Sequence, residues 1–111
     1  MQFAGTKNFK VSELEYSDTA KTYKIDNTIP DELEYNTKRL LLFLQDLREK
    51  WGSAIRINSG YRCPILNKIV RGSKTSAHLM CNAVDLYPAN GKFEEFKNPV
   101  RRMPYTDQSW T

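Results

Sequence analysis

Between Leu33 and Trp51 the apolar residues return every three or four positions: Leu33, Leu40, Leu41, Leu44, Leu47 and Trp51. That spacing gathers them on one face of a helix, with polar residues on the other. It predicts a long helix reaching about Lys50, with Pro30 in its first turn and Gly52 as its stop. The period then changes to two. Ala54-Ile55-Arg56-Ile57-Asn58 alternates apolar and polar residues and predicts a half-buried strand, as does Ala83-Val84-Asp85-Leu86-Tyr87. Between them, Ser59 to Arg62 reads as a turn and Gly72 to Ala77 as a loop. Pro64 to Val70 reads as a short helix with Leu66, Ile69 and Val70 as its apolar positions. Upstream, Ser12-Glu13-Leu14-Glu15 has the form of a capping box opening a short helix that ends near Ser17. Asp18 to Lys21 opens a second, and Asp26 to Pro30 is a turn-rich break. Downstream, Pro88 to Gly91 is a turn. Phe93 to Lys97 opens a last helix, which Pro99 should kink or end. Arg101 to Thr111 has no clear period. The expectation is a small α+β domain spanning residues 1–111: N-terminal helices, one of them long and amphipathic, packed on a short antiparallel sheet.

Composition narrows the class. The chain has 111 residues, enough for one domain with a real core. Charged residues make up 27% and hydrophobic residues 40%, which excludes a disordered or membrane-embedded chain. No apolar run approaches the roughly 20 residues of a spanning helix, and Met1 to Lys7 lacks the apolar core of a signal peptide. The net charge of +4 is spread along the chain, as on an ordinary solvated surface. Lys68, Arg71, Lys74, Arg101 and Arg102 would serve a nucleic-acid binder, but no nucleic-acid motif accompanies them, so no nucleic-acid partner is expected. Cys63 and Cys81 match no metal or redox spacing. Unpaired thiols are favoured over one disulfide.

His78 is the only histidine, and Asp85 follows it on the second predicted strand. Alone, the pair says little. However, Asp85 stands between apolar Val84 and Leu86. A carboxylate flanked this way needs a cation or several donors if it points inward. A metal ion is one solution; Arg62 or Arg56 is the other.

Ser59-Gly60-Tyr61-Arg62-Cys63-Pro64, Leu66-Asn67, Gly72-Ser73-Lys74-Thr75-Ser76-Ala77-His78 and Ala83-Val84-Asp85 follow one another in order. This run resembles the signature of the zinc D-alanyl-D-alanine carboxypeptidases and related phage endolysins. Asn8-Phe9, Ser12-Glu13-Leu14, Ser17-Asp18-Thr19-Ala20, Ile25-Asp26-Asn27 and Pro30 are similar to the small single-domain branch of that family, so the resemblance covers roughly residues 8 to 98. It implies a zinc cofactor held by His78 and Asp85, two of the family's three ligands. It implies that Arg62 grips the substrate carboxylate or the developing oxyanion, and that Tyr61 and Ser76 lie on the substrate side. The implied partner is a peptidoglycan stem peptide. Zinc would lower the pKa of a bound water to about 7.

The departures are equally specific. The family's third ligand is a second histidine near the C-terminus, preceded by a glutamate that acts as general base. This sequence holds one histidine and ends at Asp107-Gln108-Ser109-Trp110-Thr111, so the resemblance implies missing C-terminal strands and an incomplete site. Loss of the base alone would cost about 10²–10⁴-fold in rate. Glu94 and Glu95 read as exposed first-turn helix residues and not as substitutes. By the same resemblance, Cys81 stands where the family has glycine and Arg71 where a second glycine often stands; a glycine there lets backbone approach closely or take positive φ. Cys81 would then strain its loop, or offer a thiolate as a replacement ligand. Two functions are therefore expected from the resemblance: a zinc peptidase with an incomplete site, or a catalytically inactive relic or module that binds metal or cell-wall peptide.

Overall fold

The structure, a computed structural model, describes residues 1–100, with side chains through Lys97. Five α-helices and a two-stranded sheet follow in the order α1 (Val11–Glu15), α2 (Asp18–Thr22), α3 (Glu34–Trp51), β1 (Ile55–Ser59), α4 (Pro64–Ile69), β2 (Asp85–Pro88) and α5 (Phe93–Val100). Single 3₁₀ turns at Asp31–Leu33 and Ala77–Met80 lead into α3 and carry His78. This is the expected α+β architecture.

The leucine face of α3 builds the core. Leu40, Leu41, Leu44 and Leu47 are all buried, packed with Phe9, Leu14, Ile29, Ile55, Val84, Leu86 and Phe96. Burial of each such side chain contributes about 1.5–3 kcal/mol. Leu33 and Trp51 close the two ends, half-buried against the same cluster. Trp51 meets Phe96 edge to face, at 5.0 Å between ring centroids. Gly52 ends α3 with φ 76°, its N–H returning to the Arg48 carbonyl, as the sequence predicts.

Several boundaries differ from expectation. Helix α1 begins at Val11, and its cap is formed at Lys10, whose backbone N–H donates to the Glu13 carboxylate at 2.7 Å. Glu15 is drawn away by a tertiary partner, the Ile29 N–H at 2.7 Å. Ser17 instead caps α2, accepting from Ala20 N–H at 3.1 Å. Pro30 is extended and precedes the 3₁₀ turn, so α3 proper starts at Glu34. On α4, Leu66 is buried as expected, while Ile69 and Val70 are largely exposed. Helix α5 continues past Pro99 to Val100. The residues from Arg101 onward, including the expected strand start at Asp107-Gln108, lie outside the described residues.

The sheet positions the site. Strands β1 and β2 pair antiparallel, each shifted one or two residues toward the C-terminus of its predicted span. Ile57 opposes Leu86 and Ser59 opposes Asp85, so Asn58 is an extra residue in β1. Such a bulge bends its strand and re-aims the residues beside it. Here it turns the chain into Gly60-Tyr61-Arg62 next to Asp85.

Candidate metal and substrate site

The site grows from the stretch that leaves β1. Tyr61 N–H donates to the Leu14 carbonyl at 2.8 Å, which seats this stretch on α1. Gly60 is required there: a Cβ would stand 2.7 Å from the Leu14 carbonyl oxygen. Asn27 fixes the next residues. Its amide nitrogen donates to the carbonyls of Tyr61 and Glu15, and its oxygen accepts from Cys63 N–H at 2.8 Å. One buried side chain thus holds the backbone on both sides of Arg62.

The Arg62 side chain is held from another direction. Asn67 is buried on α4, and its oxygen accepts from Arg62 Nη1 at 3.3 Å while its nitrogen donates to the Ser73 carbonyl at 3.0 Å. Gly72 N–H closes on the Asn67 carbonyl. A Cβ on Gly72 would lie 2.1 Å from Asn67 Oδ1 and 2.9 Å from Arg62 Nη1, so only glycine leaves room for the arginine and its amide partner. Arg62 Nη2 reaches Asp85 Oδ2 at 3.9 Å.

His78 completes the cluster. Ser76 accepts from His78 N–H at 3.2 Å and caps the 3₁₀ turn. The His78 ring is 3% exposed. Its Nδ1 lies 2.7 Å from the Gly60 carbonyl oxygen. A carbonyl only accepts, so Nδ1 carries the proton, and in the neutral ring Nε2 is the acceptor. Nε2 faces Asp85 Oδ2 at 3.6 Å. The His78 carbonyl in turn accepts from Arg62 N–H at 3.1 Å. Arg62 and His78 are therefore joined through backbone, and both side chains approach the Asp85 carboxylate.

This arrangement fits a zinc ion on the two donors described. A histidine whose far nitrogen is tied to a carbonyl is the usual form of a metal-binding imidazole. Imidazole nitrogen and carboxylate oxygen suit zinc, and tetrahedral bonds of about 2.0–2.2 Å place two ligand atoms about 3.4 Å apart, close to the 3.6 Å between Nε2 and Oδ2. Among the described residues, no three His, Cys, Asp or Glu side chains gather to hold a metal.

A sequence model described as Peptidase M15 matches residues 7–111. The chain belongs to the Peptidase M15 family. No curated protein matches it, and no solved structure does. Family membership gives this domain a peptidase origin and a peptide-like substrate class, in a family that is generally zinc-dependent.

Within this M15 domain the structure brings His78, Asp85 and Arg62 together, with Ser76 beneath His78. Tyr61 is only 4% exposed and packs in the core cluster. Burial pushes its hydroxyl above the ordinary tyrosine pKa. Arg56 is exposed and paired across the sheet with Tyr87, so Arg62 is the arginine facing Asp85. Cys81 does not gather with His78 and Asp85 into a group of three possible ligands among the described residues. Its thiol is fully buried, 3.4 Å from Thr37 Oγ1, and burial raises its pKa, which disfavours thiolate. Its backbone has φ 57°, and Arg71 has φ 59°, so of the two alternatives, close approach or positive φ, both positions adopt the left-handed conformation. Both cysteines are free thiols. Glu94 and Glu95 lie exposed in the first turn of α5. Asn27, Asn67 and Gly72 build the site without having been singled out by their chemistry. All three stand within the motif stretches, and that order was the signal for them.

Proposed function

We propose that this M15 domain is a zinc-dependent peptidase acting on peptidoglycan stem peptides, with His78 and Asp85 as metal ligands and Arg62 gripping the substrate carboxylate. The observation that carries the reading is the facing of His78 Nε2 and Asp85 Oδ2 at 3.6 Å, with the opposite ring nitrogen tied to Gly60. When bound, zinc supplies a water with a pKa near 7 and polarises the scissile carbonyl. The chain's own residues do the rest. Gly60 holds the imidazole in the tautomer that presents Nε2. Asn67 takes one of the five guanidinium donors of Arg62 and Asp85 stands 3.9 Å from Nη2, leaving a planar fork for a carboxylate or an oxyanion.

A second reading is an inactive relic, or a module that binds metal or cell-wall peptide without turnover. It is favoured by the single histidine of the sequence and by the two-ligand cluster among the described residues, since catalytic zinc normally has three protein ligands. Zinc titration and D-alanine release from a muropeptide pentapeptide separate the two. Release by the purified chain that is abolished by chelation and by His78→Ala supports the peptidase. Zinc or peptide binding without release supports the module. Absence of zinc binding that His78→Ala leaves unchanged overturns the metal role in both.

A further inference from the structure

Helix α4 buries one face and leaves an apolar one bare. Leu66 and Asn67 turn into the domain and are buried. With 3.6 residues per turn, Ile65, Lys68 and Ile69 share the opposite face. Ile65 is 64% exposed, Ile69 38%, and Val70, at the end of the helix, 41%. A single exposed apolar residue is ordinary on a protein surface; three adjoining ones mark a surface that meets something. Val70 also lines a cavity beside Arg62, and exposed Tyr16 stands in the same lining.

The charge around this face has one sign. From Gly52 to Val84 the sequence has no aspartate or glutamate, and its basic residues are Arg56, Arg62, Lys68, Arg71 and Lys74. The last three are exposed and belong to the end of α4. Arg71 N–H donates to the Lys68 carbonyl, Gly72 N–H to the Asn67 carbonyl, and the Asn67 amide to the Ser73 carbonyl, which folds the chain back on the helix end just before Lys74. Among the described residues Lys68, Arg71 and Lys74 make no ion pair, whereas Lys50 and Lys97 pair with Asp46 and Glu94. Basic residues at a helix C-terminus complement its dipole and need no further reason. Arg71 does need one, because its exposed side chain is carried on left-handed backbone at φ 59°, which glycine adopts without strain. Asp18 lies in the lining that Val70 and Tyr16 share, and its carboxylate accepts from the Tyr16 hydroxyl at 2.5 Å.

We propose that the outer face of α4 docks on an anionic lipid bilayer, with Ile65, Ile69 and Val70 entering the interface and Lys68, Arg71 and Lys74 meeting lipid phosphates. Apolar side chains flanked by lysine and arginine are the composition of an interfacial contact. A soluble polyanion would use the three cations but would gain nothing from bare isoleucines. Specific protein interfaces are depleted in lysine, and two of these three cations are lysine. Among the described residues no helix is long and apolar enough to cross a membrane, so the contact is a peripheral one. The inference stands apart from zinc binding and from peptide cleavage.

The test is co-sedimentation of the full chain with sucrose-loaded vesicles, made of phosphatidylcholine alone or of equal parts phosphatidylcholine and phosphatidylglycerol, with soluble polyphosphate as competitor. The chain should pellet with the mixed vesicles, stay in solution with phosphatidylcholine, and bind less as salt rises. A lysine or arginine near an anionic surface contributes a factor of about five, so Lys68→Gln should weaken binding about fivefold. Ile65→Ser should weaken it about tenfold by removing apolar contact. Arg71→Gly should lose about the same factor as Lys68→Gln, and its relieved backbone keeps the test readable if another variant folds poorly. Absence of sedimentation with mixed vesicles, or equal sedimentation with both compositions, overturns the proposal. Binding that Ile65→Ser leaves intact and polyphosphate abolishes overturns the bilayer in favour of a soluble polyanion. Binding unchanged in both Lys68→Gln and Arg71→Gly overturns the assignment to α4.

Discussion

The two halves of this domain are stabilised by different physics. Around α3 the structure rests on area: four leucines meet Phe9, Leu14, Val84 and Phe96, and no single atom is decisive. Around Arg62 it rests on individual hydrogen bonds: Asn27, Asn67 and the Gly60 carbonyl each have a named partner, and two non-glycine residues sit in left-handed backbone. The first kind of order tolerates exchange of one apolar residue for another of similar volume. The second tolerates almost no exchange, because a missing amide leaves a buried backbone group unsatisfied. The lesson is that the site is the more specified half and the less robust one.

The largest effect should come from the core. Leu44→Ala should cost about 2–5 kcal/mol by denaturant unfolding, whereas Leu42→Ala, on the exposed face of the same helix, should stay within about 0.5 kcal/mol. Similar losses for both would erase the distinction between the faces of α3. The site half should lose less stability and more organisation. Asn27→Ala should cost about 1–3 kcal/mol and weaken peptide binding, with leucine, its near-isostere, failing to rescue either. Gly72→Ala should disturb Arg62 in particular, because its Cβ would enter the space of Asn67 Oδ1. A variant that unfolds normally yet no longer discriminates dipeptide acid from amide would show this directly.

How far the sequence foretold these halves follows from the same physics. The α3 face was legible because repeated apolar residues declare a period, and Gly52 declares its end. His78, Asp85 and Arg62 were legible as a group only through motif order, since a lone histidine has no pattern. The α1 cap was misread because Glu13 and Glu15 both offer a carboxylate, and the choice was made by Ile29, fourteen residues from Glu15. Asn27 was hidden for a related reason. A buried amide and a solvated turn amide are the same letter, and only the fold shows which carbonyls it meets.

Smaller effects test the strained backbone. Arg71 is exposed at φ 59°, so Arg71→Gly should raise stability by about 0.5 kcal/mol, the relief of left-handed strain less the entropy glycine brings to the unfolded chain. A loss of stability instead would show that the Arg71 side chain contributes a contact. Cys81 gives the mildest test. Its raised thiol pKa means that the folded state favours the protonated form. The stability from this group is full below the unfolded thiol value of about 8.5 and is lost as pH rises through the folded value. Unfolding midpoints should therefore fall on the alkaline side, and Cys81→Ser should flatten that slope. Cys63, half-buried, should react with a thiol probe before Cys81 does.

The bracket that Asn27 places around Arg62 also bears on the order in which the molecule forms. Its bonds to Tyr61 and Cys63 close loops of 34 and 36 residues. Long-range closures of this kind are slow compared with the local winding of α3. In a refolding experiment, helical signal should therefore develop ahead of ligand-binding competence. As the chain leaves the ribosome, Asn27 emerges well before the residues it will hold. The N-terminal third then waits, unsatisfied, until Tyr61 and Cys63 arrive to complete it.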